Sequence, residues 1–210
     1  MRTMIALLAG ITISAAQTTY TIPFDSKGNT IELAVANTST LQADQVKVEV
    51  TDCPNYITFT KKTLSIQQLK PQEEQTATFS FNVEKMAVAN KEETLKFTVT
   101  SQTGQQWTKD ITIQIAPPDK YELYQNYPNP FNPTTTITYQ LTAISKVSIK
   151  IYDMLGRQVA EPMDEQQEAG GHEMTFNASR LSSGVYFYQL VAVDARNTNH
   201  IFRKKMMVVK

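Results

Sequence analysis

"QNYPNPFNPTTTITYQL", residues 125–141, sets prolines at 128, 130 and 133 directly ahead of an alternating run. Each proline removes a backbone donor and pushes the residue before it, Tyr127, Asn129 or Asn132, toward extended geometry. Pro128–Pro133 therefore cannot be an interior strand. It reads as a stiff, extended arm of low unfolded-state entropy. Phe131, with Tyr127, supplies apolar pegs, and the asparagines bond to backbone in place of a ladder. A proline-rich SH3-type ligand does not fit buried pegs followed at once by a strand. Beyond Pro133, Ile137, Tyr139 and Leu141 lie on one face of a strand.

The same alternation runs outward in both directions. Val147, Ile149 and Ile151 form the next stripe, and "YDMLGRQV" reads as a hairpin with Asp153 accepting turn hydrogen bonds and Gly156 at positive φ. Met174 and Phe176 follow a break at Gly170-Gly171. "GVYFYQLVAV" is apolar at every other position and between, which predicts a central strand buried on both faces. "HIFRKKMMVVK" is a last strand mixing cations with apolar residues. Toward the N-terminus the stripes are Ile31/Leu33/Val35, Val46/Val48/Val50, Ala77/Phe79/Phe81/Val83, Leu95/Phe97/Val99 and Ile111/Ile113/Ile115. Leu69 points inward ahead of a turn at Pro71, and "EKMAVANKEE" offers one weak helical turn. Such a series of short strands separated by turn residues argues for antiparallel sandwiches.

"APPDK", Ala116–Lys120, stops a strand and stiffens a linker. The expected fold is all-β: two Ig-like antiparallel β-sandwich domains in tandem after a signal peptide. The signal peptide spans residues 1–16, the first sandwich 17–116, the linker 117–120 and the second sandwich 121–210. The leader "MRTMIALLAGITISAA" has a positive start at Arg2, an apolar core from Ile5 to Ile13 and small residues at Ser14, Ala15 and Ala16, which places the cut after Ala16. A buried N-terminal strand is the competing reading. The apolar run is too short for a confident bilayer span.

The 210 residues carry 20 Lys plus Arg against 20 Asp plus Glu, so no bulk charge favours nucleic acid. One cysteine, Cys53, excludes an internal disulfide. It reads as a small apolar residue closing the strand "VKVEV".

"YELYQNYPNPFNPTTTITYQL", "VSIKIYDMLGRQVA", "QQEAGGHEMTFNASRLSSGVYFYQL" and "RKKMMVVK" occur in the order seen in a known family. Tyr121–Lys210 resembles the C-terminal sorting domain of type IX secretion cargo from Bacteroidetes and related bacteria, itself similar to the Ig-like part of the flagellar hook-capping protein. Phe176 stands where tryptophan is usual and Asn177 where aspartate is common. The resemblance implies an address rather than a catalyst. Its sorting determinants would fall at Pro128, Asn129, Pro130 and Phe131 at the start of the domain, at Gly156, at Gly184, Val185 and Tyr186 within Gly184–Leu190, and at Lys204, Lys205 and Lys210. It also implies passage through the periplasm to the cell surface or medium, recognition by the outer-membrane translocon, and cleavage by a surface peptidase in the linker near Pro117–Tyr121. Independently of the family, an edge strand bearing Arg203, Lys204, Lys205 and Lys210 can offer a receptor backbone groups and cations, or can simply be protected from aggregation by its lysines.

No metal-ligand spacing, glycine-rich phosphate loop or nucleophile elbow appears, so no catalytic residue, cofactor or metal is expected. His172 reads as a solvated turn histidine able to pair with Glu165 or Glu168. Glu73-Glu74 and Glu92-Glu93 read as solvated charges rather than glycosidase carboxylates. Trp107 reads as core or strand packing, with sugar stacking as its alternative. The expected protein is an exported, non-enzymatic one with an Ig-like interaction or spacer module as passenger. The alternatives are an accessory carbohydrate-binding module or remnant of a secreted glycoside hydrolase, and a hydrolase using Cys53 or paired glutamates.

Overall fold

The computed structural model describes residues 2–7, by backbone alone, and 19–210. The cleavage position expected after Ala16 lies outside the described residues. The chain divides into two compact units, one of residues 1–84 and 91–116, the other of 85–90 and 117–210.

The first unit contains β1 (Arg2–Leu7), β2 (Tyr20–Ile22), β3 (Asn29–Asn37), β4 (Ala43–Asp52), β5 (Ile57–Phe59), β6 (Thr63–Leu69), β7 (Glu74–Val83), β8 (Glu92–Thr100) and β9 (Gln106–Ile115). They form two sheets, ordered β1-β3-β7-β5 and β2-β9-β8-β4-β6. Every stripe read from the alternation is buried, because side chains two apart share a face and that face is the sandwich interior. Phe79 of one sheet meets Phe97 of the other with ring centroids 5.3 Å apart and planes tilted by 58°, an aromatic contact that binds the layers beyond simple burial. Leu69 is buried ahead of a turn in which Gln72 adopts φ 60°. Arg2–Leu7 pairs parallel with β3 at the sheet edge, in register Arg2↔Glu32 to Leu7↔Asn37.

The second unit contains β10 (Glu122–Leu123), β11 (Thr134–Leu141), β12 (Ser145–Tyr152), β13 (Gln158–Gln167), β14 (Gly170–Asn177), β15 (Gly184–Asp194) and β16 (Asn199–Val208). Its sheets are β10-β11-β14 and β13-β12-β15-β16. Between them lie Ile137, Tyr139, Leu141, Val147, Ile149, Ile151, Tyr188, Leu190 and Met206, all fully buried. The chain is thus all-β, with no helix among the described residues.

Four local expectations change. "EKMAVANKEE" is no helical turn: residues 84–91 are a loop, in which Val88 makes a bridge to Gly170, and Glu92-Glu93 open β8. Gly170-Gly171 is no break but the start of β14, paired with Leu141 and Gln140. The absence of side chains there lets other backbone come close. β15 is central in its sheet yet buried on one face only, with Val185, Phe187 and Val191 half-exposed on the other. Apolar residues on both faces do not distinguish a doubly covered strand from the outer face of a sandwich. His172 sits within β14 rather than a turn, its ring stacked on Tyr139 with centroids 5.5 Å apart. Its Nε2 is 2.8 Å from the Glu168 carbonyl, and burial lowers its pKa.

Candidate functional site

The second unit brings the proline arm and the last strand together. β16 is an edge strand, and an edge presents a row of backbone donors and acceptors on its outer side. Along Lys205–Val209 the arm fills that row. The Phe131 amide donates to the Met207 carbonyl and the Val209 amide to the Phe131 carbonyl, each at 3.0 Å. The Asn129 Oδ1 accepts the Met207 amide at 2.9 Å, and the Gln125 side-chain amide donates to the Lys205 carbonyl at 2.8 Å.

The arm bends rather than extends, with bends at residues 128–130 and cis bonds before Pro128, Pro130 and Pro133. Phe131 is 3% exposed and meets Phe176 at 6.5 Å. Tyr127 is no peg: the residue is 81% exposed. Its backbone holds instead, exchanging hydrogen bonds with Thr136 at 3.0 and 2.9 Å. A tyrosine beside prolines need not bury its ring when its amide and carbonyl already have partners.

Gly184, Val185 and Tyr186 pair with Val208, Met207 and Met206, so these residues flank the inner side of the strand whose outer side the arm covers. Tyr186 is buried and its hydroxyl donates to the Ser182 carbonyl at 3.0 Å. Lys210 ties the chain end down: its amide donates to Ser183 Oγ and its Nζ to the Ser179 carbonyl, both at 3.0 Å. Lys204 shares by alternation the face of buried Met206 and Val208, yet is exposed. An inward-facing charge on an edge strand opposes the docking of another strand. Lys205 is exposed on the outer face, and Arg203 bonds Gln189 Oε1 at 2.6 Å while lying 5.5 Å from the Tyr152 ring centre.

Gly156 sits apart from the arm, in the β12–β13 turn, at φ 78°. There Asp153 Oδ1 accepts the Leu155 and Arg157 amides at 2.9 and 3.0 Å. The bond from the Arg157 amide, with its guanidinium, holds the Asp153 carboxyl below the usual range.

Two residues not singled out from the sequence complete the junction. The Tyr188 hydroxyl, fully buried, donates to the Tyr124 carbonyl and accepts the Asn126 amide, both at 2.8 Å. Burial pushes its pKa up to about 12. Asn126 Nδ2 then donates to the Pro128 carbonyl at 3.1 Å and Thr135 Oγ1 at 2.9 Å. The signal was present: Tyr188 has inward parity on β15, and a buried phenol needs a partner.

Residues 125–208 match the family of secretion system C-terminal sorting domains. The second unit is a type IX sorting domain. Among solved structures, dimeric latent PorU from Porphyromonas gingivalis is similar at 15% identity and TM-score 0.38, over 94% of this chain and 19% of PorU. This chain thus spans about a fifth of PorU's length. CopC from Methylosinus trichosporium OB3b is 18% identical at TM-score 0.33, over 42% of this chain and 93% of CopC. A Porphyromonas gingivalis W83 protein of unknown function is 15% identical at TM-score 0.34, over 89% of this chain and 92% of its own. No curated protein matches the chain.

Within the sorting domain, the arm, the Gly184 end of β15 and the C-terminal strand form one continuous surface. Among the described residues, no group of three His, Cys, Asp or Glu side chains is placed to hold a metal. Cys53, at the end of β4, is half-buried, with its Sγ 3.8 Å from the Ile57 carbonyl. Glu73 bonds the Lys70 amide at 2.7 Å, and Glu93 pairs with Lys91 at 2.9 Å.

Proposed function

We propose that this is an exported, non-enzymatic protein that its sorting domain directs through the type IX system to the cell surface or medium. The first unit travels as an Ig-like interaction or spacer module. The family match over residues 125–208 carries this reading. Residues 1–16 serve as the signal peptide for the inner membrane, and its removal vacates the edge of β3. The outer-membrane translocon then recognises the folded sandwich at the surface made by Pro128–Phe131, Gly184–Leu190 and Lys204–Lys210. Physical support comes from the lacing of that surface: the arm supplies the backbone partners that β16 would otherwise seek from another strand. Recognition then falls to shape and to exposed cations rather than to an open edge. In the linker, Pro117, Asp119 and Lys120 are exposed and Pro118 is buried, which leaves accessible backbone for a surface peptidase.

Deletion of Lys204–Lys210 tests the reading in the native bacterium. The truncated protein is expected in the periplasm, and its normal appearance at the surface overturns the sorting role. Met206 and Val208 are core residues, so the deletion also disturbs folding. The combined Lys204→Ala, Lys205→Ala and Lys210→Ala variant leaves the core intact. It is expected to melt near the parent temperature and still fail to leave the periplasm; normal export would remove the lysines from the determinant.

A further inference from the structure

The first unit holds a cleft of about 690 Å³ at one end of its sandwich. We infer that this cleft binds a neutral oligosaccharide. The inference goes beyond the export reading, and because it is tested on purified protein, either can fail without the other.

The floor is set by strand periodicity. Trp107 pairs with buried Val99 and shares the face of Ile111, Ile113 and Ile115. It is the first inward residue of β9, one position into the strand, and unlike Ile111, Ile113 and Ile115 it is only half-buried, in the cleft wall. Such a ring offers an apolar face to the C–H side of a pyranose. Around it stand Gln42, Gln102, Gln105 and Gln106, all exposed. A primary amide presents donors and an acceptor together, which suits hydroxyls that must do both.

Charge narrows the ligand class. Asp44 is the one charged side chain among the described residues lining the cleft, and its Oδ1 already accepts the Gln42 amide at 2.7 Å. An anionic ligand would find no counter-charge there. The volume lies within the range of about 300–1,000 Å³ usual for ligand sites.

The rim is held in place. Buried Asn37 donates to the Leu41 and Leu69 carbonyls at 2.8 and 2.9 Å and accepts the Ser39 amide at 3.1 Å. Gln72 adds a bond to the Thr38 carbonyl at 3.0 Å. A loop ordered before binding loses less entropy on binding. Loops at the end of a sandwich are also where such folds place recognition.

Trp107 is the chain's single tryptophan among nine tyrosines, so emission excited selectively at tryptophan reports on this cleft. The full chain is titrated with cellohexaose, xylohexaose, laminarihexaose and mannohexaose, with polygalacturonate as the charged comparator, by fluorescence and calorimetry. The expected result is saturable binding of at least one neutral hexaose with a shift in emission, and none of polygalacturonate. Trp107→Ala should weaken that binding by about tenfold or more, read by calorimetry. Gln106→Ala, at an exposed position that leaves the fold untouched, should weaken it as well. No saturable response to any neutral sugar, a response to the polyanion alone, or unchanged affinity in the folded variants overturns the inference.

Discussion

The Asn129 side chain stands where a neighbouring strand's carbonyl would be: its Oδ1 accepts the Met207 amide at 2.9 Å. A proline arm cannot form a continuous ladder, since Pro128 and Pro130 have no amide. Where the arm departs from strand geometry, the side chain between them takes the place of a strand carbonyl as the acceptor. Asn129→Ala should expose the Met207 amide at a cost of about 0.5–1.5 kcal/mol. Hydrogen exchange at Met207 should accelerate while exchange in β12 is unchanged. Asn129→Asp keeps the acceptor and should keep the protection. Equal protection in the alanine variant would mean that the side chain is not the edge partner.

Gly171 is required for a different reason. Within the second unit, residues 85–90 run across the start of β14. The Ala89 amide donates to the Ala169 carbonyl at 3.0 Å and the Gly171 amide to the Ala87 carbonyl at 3.1 Å. A Cβ at Gly171 would overlap the Lys85 carbonyl oxygen, which is backbone and cannot swing aside. Gly171→Ala should therefore destabilise by about 1–3 kcal/mol and release the Ala89 amide to exchange. A urea midpoint and Ala89 protection equal to the parent's would show that the loop does not need this approach.

Much of this was legible in the residues because alternation is a strong signal. Each apolar stripe, from Ile31/Leu33/Val35 to Val147/Ile149/Ile151, is buried, since in a two-layer sandwich a period of two maps directly onto inside and outside. The Asp153/Gly156 turn was legible because its chemistry is local. What was not legible depends on partners distant in sequence. Nothing near Gly170-Gly171 announces residues 85–90, and nothing near Tyr127 tells whether its ring or its backbone is held. Tyr188 and Trp107 lie on inward stripes like their neighbours. Only the fold shows that one reaches the backbone of Tyr124 and Asn126 while the other ends where the sandwich opens.

Tyr188 makes the sorting domain sensitive to alkali. Its burial raises its pKa to about 12, from an ordinary 10. A folded pKa above the unfolded one means that its contribution is complete below pH 10. It is lost between about pH 10 and 12, where the unfolded chain ionises and the folded one does not. Tyr139, also raised to about 12 by burial, acts in the same direction. Stability measured against pH should fall over that window, and phenolate absorbance should rise late for these two rings. Tyr188→Phe should cost about 1–3 kcal/mol at neutral pH, because the Asn126 amide and Tyr124 carbonyl are left without their partner. It should also make the alkaline decline shallower. A steeper decline in the phenylalanine variant would contradict the assignment.

Phe131 couples core burial to edge protection, so its loss should have two separable effects. The ring is 3% exposed against Phe176, and truncation to alanine should cost about 3–5 kcal/mol. The same residue holds Met207 and Val209 through its backbone. An arm without its peg leaves the outer row of β16 open, and an open, partly apolar edge pairs with other edges. Met207 and Val209 are 39% and 45% exposed there already. Phe131→Ala should therefore lower the unfolding midpoint and, below that midpoint, make the protein self-associate in sedimentation velocity as its concentration rises. Phe131→Leu restores most of the buried volume and should recover the monomer. Association that persists with leucine, or a monomeric alanine variant with a freely exchanging Val209 amide, would show that the peg does not guard the edge.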